Sequence, residues 1–214
     1  MEPIKVKFYS QFGQDFFVSN ITRFKPGFFV DIGCGTSDLN LEYSHWASMS
    51  NTWTLESVFK WEGIALDYDK TYYDLASKHR KSVHCVDLME HNINDVLADR
   101  GCPEHFDYLS FDVDMAQRKV LDEFDFNKYS FKIMTYEHNF STEGNPNFKG
   151  FYDGDKDYSR EKFQDLGYKI LFGNVGLRKD EKIEDWYVND ELFKEWGHLA
   201  EDNITFNEIL KKIK

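Results

Sequence analysis

The chain has 214 residues, enough for one compact domain with a full hydrophobic core. Its 26 Lys+Arg against 38 Asp+Glu leave a net charge of −12, which argues against nucleic acid or an anionic membrane as partner, because both are bound through clustered positive charge. Aromatic residues make up 17% of the sequence, too many for a disordered acidic tail, and no apolar run approaches the length of a membrane span. The N-terminal MEPIKVKFYS has no apolar signal core, and Cys34, Cys85 and Cys102 show no C-x-x-C spacing. A cytoplasmic protein with free thiols is expected.

In chain order, short apolar runs predict buried strands at 27–32, 63–66, 82–86, 106–111 and 131–136. Helical segments are predicted near 51–60, 70–79, 92–98 and 117–124; in the third, Ile93, Val96 and Leu97 form an i, i+3, i+4 stripe. This alternation predicts an α/β fold: a doubly wound, mostly parallel Rossmann-like sheet with helices on both faces. Beyond Phe140 a polar, glycine-bearing loop precedes a predicted helix at 158–166, strands at 168–172 and 183–188, and a terminal helix at 206–213. No repeat or linker interrupts residues 1–214, so one domain is expected.

The segment FFVDIGCGTSD, residues 28–38, ends a buried strand in an acid and then sheds side chains. In a doubly wound sheet such a turn lies at the ligand-binding edge, where Gly33 and Gly35 let backbone approach a ligand. A dinucleotide fingerprint would place a third glycine where this chain has Asp38, which disfavours a nicotinamide cofactor. Asp31, two residues before the first glycine, would repel a pyrophosphate and suit a cation. S-adenosylmethionine (SAM), with its ammonium and sulfonium, meets that requirement. Asp67 ends the next strand in GIALDYD, where a carboxylate can accept from both ribose hydroxyls; a helix N-terminal acid is the other reading, and the place of Asp67 at the end of an apolar run favours the ribose role. Asp87, in HCVDL after the third strand, is placed either to accept from an adenine amino group or to close a turn.

Several segments together resemble the FkbM-type SAM-dependent methyltransferases, over nearly the whole chain. YSQFGQD, FFVDIGCG, SNTWTLE, WEGIALDYD, FDYLSFDVD, YEHNF and EDWYVNDEL occur in that family's order. The resemblance implies a seven-stranded class I methyltransferase sheet with a final antiparallel strand. It also implies O-methylation of small or sugar-like acceptors, as in glycan or natural-product biosynthesis. Carried onto matching positions, it places Ser10, Gln11 and Gln14 beside the cofactor, with Asp31, Gly33, Gly35, Asp67 and Asp112 around it. Asn51 and Tyr68, inside matched segments, join that cofactor-binding set. The chain departs from the family at Met115-Ala116-Gln117, where Gly-Ser-Glu is usual, at Asp67, where glutamate is usual, and in a longer His45–Trp46 segment.

Methyl transfer to a hydroxyl needs collinear alignment and removal of a proton. Candidates gather at the ends of the fourth and fifth strands: Asp112, Asp114, Glu137, His138 and Asn139. His138 is the preferred base because its ordinary pKa is near neutrality, with Asp114 as the alternative and Glu137 as a group that could orient the imidazole. Asp112, Asp114, Glu137 and Asn139 also form an oxygen set that could hold Mg²⁺. Tyr43, His45 and Trp46 are candidates for a cap over the acceptor, and the loop at 141–157 for acceptor specificity. Two other readings stand beside methyl transfer. One is a metal-dependent nucleotide-sugar glycosyltransferase using Asp112-x-Asp114, and the other a non-catalytic nucleoside-binding module.

Overall fold

The structure is a computed structural model that describes residues 6–35, 49–142 and 154–213. Asp38, Tyr43, His45, Trp46 and residues 143–153 of the predicted specificity loop lie outside the described residues. Helix α1 (Gln14–Ile21) leads into strand β1 (Phe28–Ile32), followed by α2 (Trp53–Ser57), β2 (Glu62–Asp67), α3 (Lys70–Ala76) and β3 (Val83–Cys85). Helix α4 (Ile93–Asp99), β4 (His105–Phe111), α5 (Gln117–Glu123), β5 (Ser130–Glu137) and α6 (Asp155–Asp165) come next. The chain closes with β6 (Lys169–Val175), β7 (Glu184–Val188), α7 (Asp190–Trp196), β8 (Glu201–Asp202) and α8 (Phe206–Lys212).

The strands form one sheet in the order β3-β2-β1-β4-β5-β7-β6-β8. Strands β1 to β5 are mutually parallel, and β7 inserts antiparallel between β5 and β6. The expected α/β architecture and its final antiparallel strand are therefore present. Among the described residues the sheet has eight strands rather than seven, because the two-residue β8 pairs with β6 at the edge. Helices α1 and α7 are additions to the elements expected from the sequence, and α2 is shorter than the predicted 51–60 segment.

Both faces are covered, which is why the central strands read as unbroken apolar runs. On one face Val30, Ile32, Leu109, Phe111, Met134 and Tyr136 pack against α4, α5 and α6 through residues such as Ile93, Leu97, Val120 and Phe163. On the other, Phe29, Ala65, Tyr108, Ile133 and Trp186 meet Phe17 and Val18 of α1, Leu55 of α2 and Ile209 of α8. Local signals set the helix starts. The Asp69 carboxylate caps α3 by accepting from Thr71 N–H at 2.7 Å, and Asn92 caps α4 by accepting from Asn94 N–H at 2.9 Å. Because Asp69 takes the cap, Asp67 is not the N-terminal acid of α3. Among the described residues no helix is long and apolar enough to cross a membrane.

The strand order reverses between β1 and β4, so the carboxyl ends of these strands flank a crevice. A separate cleft of about 360 Å³, lined by residues that include Glu56, Trp61, Glu62 and Lys81, opens at the amino end of β2.

Candidate functional site

The turn after β1 is built from backbone. Gly33 and Cys34 N–H both donate to Leu66 C=O, at 2.9 and 3.0 Å, tying the turn to the end of β2. Gly35 N–H donates to Asp67 Oδ2 at 2.9 Å, and Asp69 N–H donates to Oδ1 at 2.9 Å. Each Asp67 oxygen thus holds one amide and keeps a second lone pair for another donor. Burial raises the Asp67 pKa, and the two amides oppose that shift.

The two glycines serve different ends. Gly33 has φ +91°, and a Cβ there would lie 1.5 Å from the Asp112 carbonyl oxygen. Its missing side chain is explained by the close approach of the chain leaving β4, so the ligand-approach role expected from the sequence is not needed to account for it. Gly35 has φ +62° and more room, since a Cβ there would stand 3.1 Å from the Met49 carbonyl oxygen.

Asp31 is fully buried and does not stand open at the mouth of the site. Its Oδ2 accepts from the Thr52 hydroxyl at 2.5 Å, and Arg80 Nη2 donates to Thr52 Oγ1 at 2.7 Å. Arg80 also donates through Nε to Glu56 Oε2 at 2.7 Å and through Nη1 to Ser50 Oγ at 3.1 Å. Burial raises the Asp31 pKa, with Arg80 pulling it back. Asp31 Oδ1 is buried, and the Ser110 hydroxyl on the paired strand lies within reach of this carboxylate. Nearby, Asn51 Nδ2 donates to Ser110 Oγ at 3.0 Å. Two carboxylates, Asp31 buried at the floor of the turn with Arg80 as its nearest cation and Asp67 beside it, make the turn a setting that a cationic nucleoside could occupy.

The N-terminal candidates divide. Ser10 donates to Asp15, a fully buried acid that also accepts from Tyr9 N–H and Thr54 Oγ1, each at 2.7 Å. Ser10 therefore fastens the segment before α1. Gln14 accepts from Phe12 N–H at 3.0 Å and donates from Nε2 to Glu184 Oε1 at 2.8 Å. Gln11 is half-buried in the same turn. Tyr68 is 72% exposed directly after Asp67, and exposed Asp87 closes a turn by accepting from Met89 N–H at 2.8 Å.

At the other side of the crevice, side-chain alternation sorts the acids. Register pairs Asp31 with Ser110, Ser110 with Thr135, and Glu137 with Glu184. Asp31, Asp112, Glu137 and Glu184 consequently share one face of the sheet. The Asp112 and Glu137 carboxyls lie against each other. Burial raises both: Asp112 well above the carboxylate range, with the Glu137 charge adding to the shift, and Glu137 to about 7, with the Asp112 contact opposing it and the Asp114 charge adding to it, so the two titrate as one pair. Asn139, at φ +47°, turns its Nδ2 back to Glu137 Oε1 at 2.5 Å. Burial pushes Glu184 up to about 8. Asp114 is exposed beyond them. Among the described residues no group of three or more His, Cys, Asp or Glu is arranged to hold a metal ion.

His138 is not brought into this cluster. It follows Glu137, so it points to the opposite face, and it is fully buried there. Its Nδ1 accepts from Phe140 N–H at 3.2 Å, and its Nε2 faces Asp185 Oδ1 at 3.4 Å without hydrogen-bond alignment. Asp185 is gripped by Arg160 through Nε at 2.7 Å and Nη2 at 2.8 Å. Burial would raise the Asp185 carboxyl, but Arg160 and His138 hold it well below the usual range.

Sequence reasoning assigns no role to Asp15, Thr52, Arg80 or Glu184, and treats Gln117 only as a departure. Gln117 donates to Glu137 C=O at 2.7 Å and accepts from Val113 N–H at 3.0 Å, fixing the exits of β4 and β5 together. The departure is thus a built contact.

No family model matches the chain, and no curated protein is significantly similar to it. Among solved structures, it is similar to an O-methyltransferase from Bacillus cereus in complex with SAH, at 13% identity and TM-score 0.49, over 86% of this chain and 82% of that one. It is also similar to a human methyltransferase 10 domain containing protein, at 10% identity and TM-score 0.46, over 81% and 80% of the two chains. A third, a dimethyladenosine transferase from Plasmodium falciparum, aligns at 15% identity and TM-score 0.46, over 91% of this chain and 69% of that one. The fold assignment rests on the chain's own strand order and register.

Proposed function

We propose that this chain is a SAM-dependent methyltransferase acting on a hydroxyl of a sugar-like or other small acceptor. The observation that carries the reading is Asp67, fixed by the amides of Gly35 and Asp69 at the tip of β2 beside a turn floored by Asp31. That arrangement suits a nucleoside with positive charge and repels a pyrophosphate. The sequence resemblance described above supports the choice of a hydroxyl acceptor.

SAM supplies an electrophilic methyl group on its sulfonium. The chain's own task is to hold the donor and acceptor in line and to take the acceptor's proton. Asp67 keeps a lone pair on each oxygen for the two ribose hydroxyls, and Asp31 Oδ1 offers a buried negative charge to an ammonium. Glu137 takes the base role assigned from sequence to His138, because Glu137 lies in the crevice and His138 lies beneath the sheet. With Oε1 engaged by Asn139, Glu137 Oε2 is the atom that receives the hydroxyl proton. Burial keeps Glu137 a base of near-neutral strength, with the Asp112 contact opposing that rise. His138, between Asp185 and the Phe140 amide, braces the chain just past Glu137. Asp114, exposed at the rim, is the second candidate for acceptor contact.

Asp67→Ala is expected to weaken binding of S-adenosylhomocysteine by roughly 10- to 100-fold, the loss of two hydrogen bonds to a charged group, and to lower thermal stability, because the Gly35 and Asp69 amides lose their acceptor. Calorimetric titration of both proteins checks it. An unchanged affinity would remove the ribose assignment.

A further inference from the structure

Thr52 stands at the N-cap of α2, where a threonine hydroxyl ordinarily accepts from an amide of the first turn. Here it makes no such bond. Ser50 Oγ accepts from Trp53 N–H at 3.1 Å in its stead, and the fully buried Thr52 side chain turns to two partners outside the helix. Arg80 Nη2 donates to Thr52 Oγ1 at 2.7 Å, and Thr52 Oγ1 donates to Asp31 Oδ2. Chemistry fixes that direction. A guanidinium has donors only and a carboxylate acceptors only, so the hydroxyl accepts from Arg80 and gives its single proton to Asp31. Arg80 is buried, and Glu56 already supplies it with an opposite charge: Nε donates to Glu56 Oε2 at 2.7 Å, and Ser82 Oγ holds the same oxygen at 2.6 Å. That ion pair accounts for a buried cation between α2 and β3. It does not account for the second arm, which gives up a helix cap to tie the cation to an acid at the ligand-facing end of β1.

We propose that Thr52 and Arg80 are positioning residues for the methyl donor: the Arg80–Thr52 arm holds the Asp31 carboxylate in one orientation, so that the donor's ammonium meets an acid already fixed in place. The inference rests on the methyl-transfer reading and adds to it two residues that act through Asp31 without touching the donor. What they supply is preorganisation, since a carboxylate anchored by one oxygen loses little freedom when a cation reaches it. The rest of the surroundings serves the same end. Ser110, facing Asp31 across the β1–β4 ladder, is the other hydroxyl within its reach, and Asn51, beside Thr52, donates to Ser110 Oγ at 3.0 Å. Burial opposes the charge on Asp31 and the guanidinium behind Thr52 favours it.

The test is a calorimetric titration with two probes that share an adenosine and a thioether. S-adenosylhomocysteine carries the ammonium, and methylthioadenosine lacks the whole amino-acid end. Thr52→Val keeps the shape of the side chain and removes the hydroxyl. It is expected to weaken S-adenosylhomocysteine roughly tenfold and methylthioadenosine less than about twofold. Thr52→Ser, which restores the hydroxyl, should bind both as the wild-type protein does. A part played in folding alone would weaken the two probes alike; that result, or an unchanged affinity for S-adenosylhomocysteine, would overturn the inference. If Thr52→Val melts too low to titrate, Arg80→Lys takes its place: an ammonium cannot serve Glu56 and Thr52 together, so the same selective loss is expected. If methylthioadenosine binds too weakly to measure, a double-mutant cycle on S-adenosylhomocysteine decides. Thr52→Val added to Asp31→Asn should cost no further affinity, because both remove one contact, and losses that add would overturn the inference. Wild-type protein that binds neither probe would contradict the methyl-transfer reading itself, a separate failure.

Discussion

Gly33→Ala is expected to cost the fold about 3 kcal/mol or more, enough to leave much of the protein unfolded or insoluble. The methyl group would fall 1.5 Å from the Asp112 carbonyl oxygen, and backbone on both sides prevents a cheap adjustment. Ile32 C=O already accepts from Asp112 N–H at 2.8 Å, so separating the two segments breaks the β1–β4 ladder at its ligand-facing end. Gly167→Ala is the matched control. Gly167 has φ +90° but nothing within 4 Å of a Cβ, so its substitution should cost only the backbone strain, about 1 kcal/mol. Urea unfolding of the two variants separates conformational strain from close approach. Equal losses would mean that the β1–β4 contact yields readily and that Gly33 is required for its backbone angle alone.

Glu137→Gln is expected to lower kcat by roughly 10²- to 10⁴-fold while leaving affinity for S-adenosylhomocysteine within a few-fold of wild type. Glutamine keeps the shape and the contact with Asn139 but cannot accept the acceptor's proton. In the wild-type protein, kcat/KM should rise with pH through about 7, as Glu137 loses its proton. That direction follows from the need for an ionised base. Transfer of a labelled methyl group to a panel of free and nucleotide-linked sugars, followed across pH, reads both effects. Full activity in Glu137→Gln would return the base role to Asp114 or to another group at the rim.

Much of the fold is legible in the sequence because the central strands are apolar on both faces and are separated by helices of ordinary spacing. The turn at Gly33–Gly35 and the strand-ending Asp67 are legible for a related reason: a polar or missing side chain at the end of a buried run demands an explanation. The same double burial hides the direction of His138. Strand β5 is buried on both faces from Ile133 to Tyr136, so no clean polar alternation leading into its end says whether Glu137 or His138 faces the crevice. Glu184 is hidden because its meaning comes from an antiparallel pairing with a residue far earlier in the chain. Asp31 reads from sequence as a ligand contact, but its nearest donors are Thr52 and, through it, Arg80, a residue that sequence spacing alone does not connect to it. Gln117 reads as a departure, and packing makes it the clamp between two strand ends.

The central claim is that the crevice beyond β1, β2 and β4 receives a methyl donor. Calorimetric titration with S-adenosylhomocysteine, beside NADH and a nucleoside diphosphate sugar with Mn²⁺, tests it most directly. The account predicts saturable binding of S-adenosylhomocysteine and none of the other two. Binding of the sugar nucleotide without S-adenosylhomocysteine would contradict it and move the chemistry to Asp112 and Asp114.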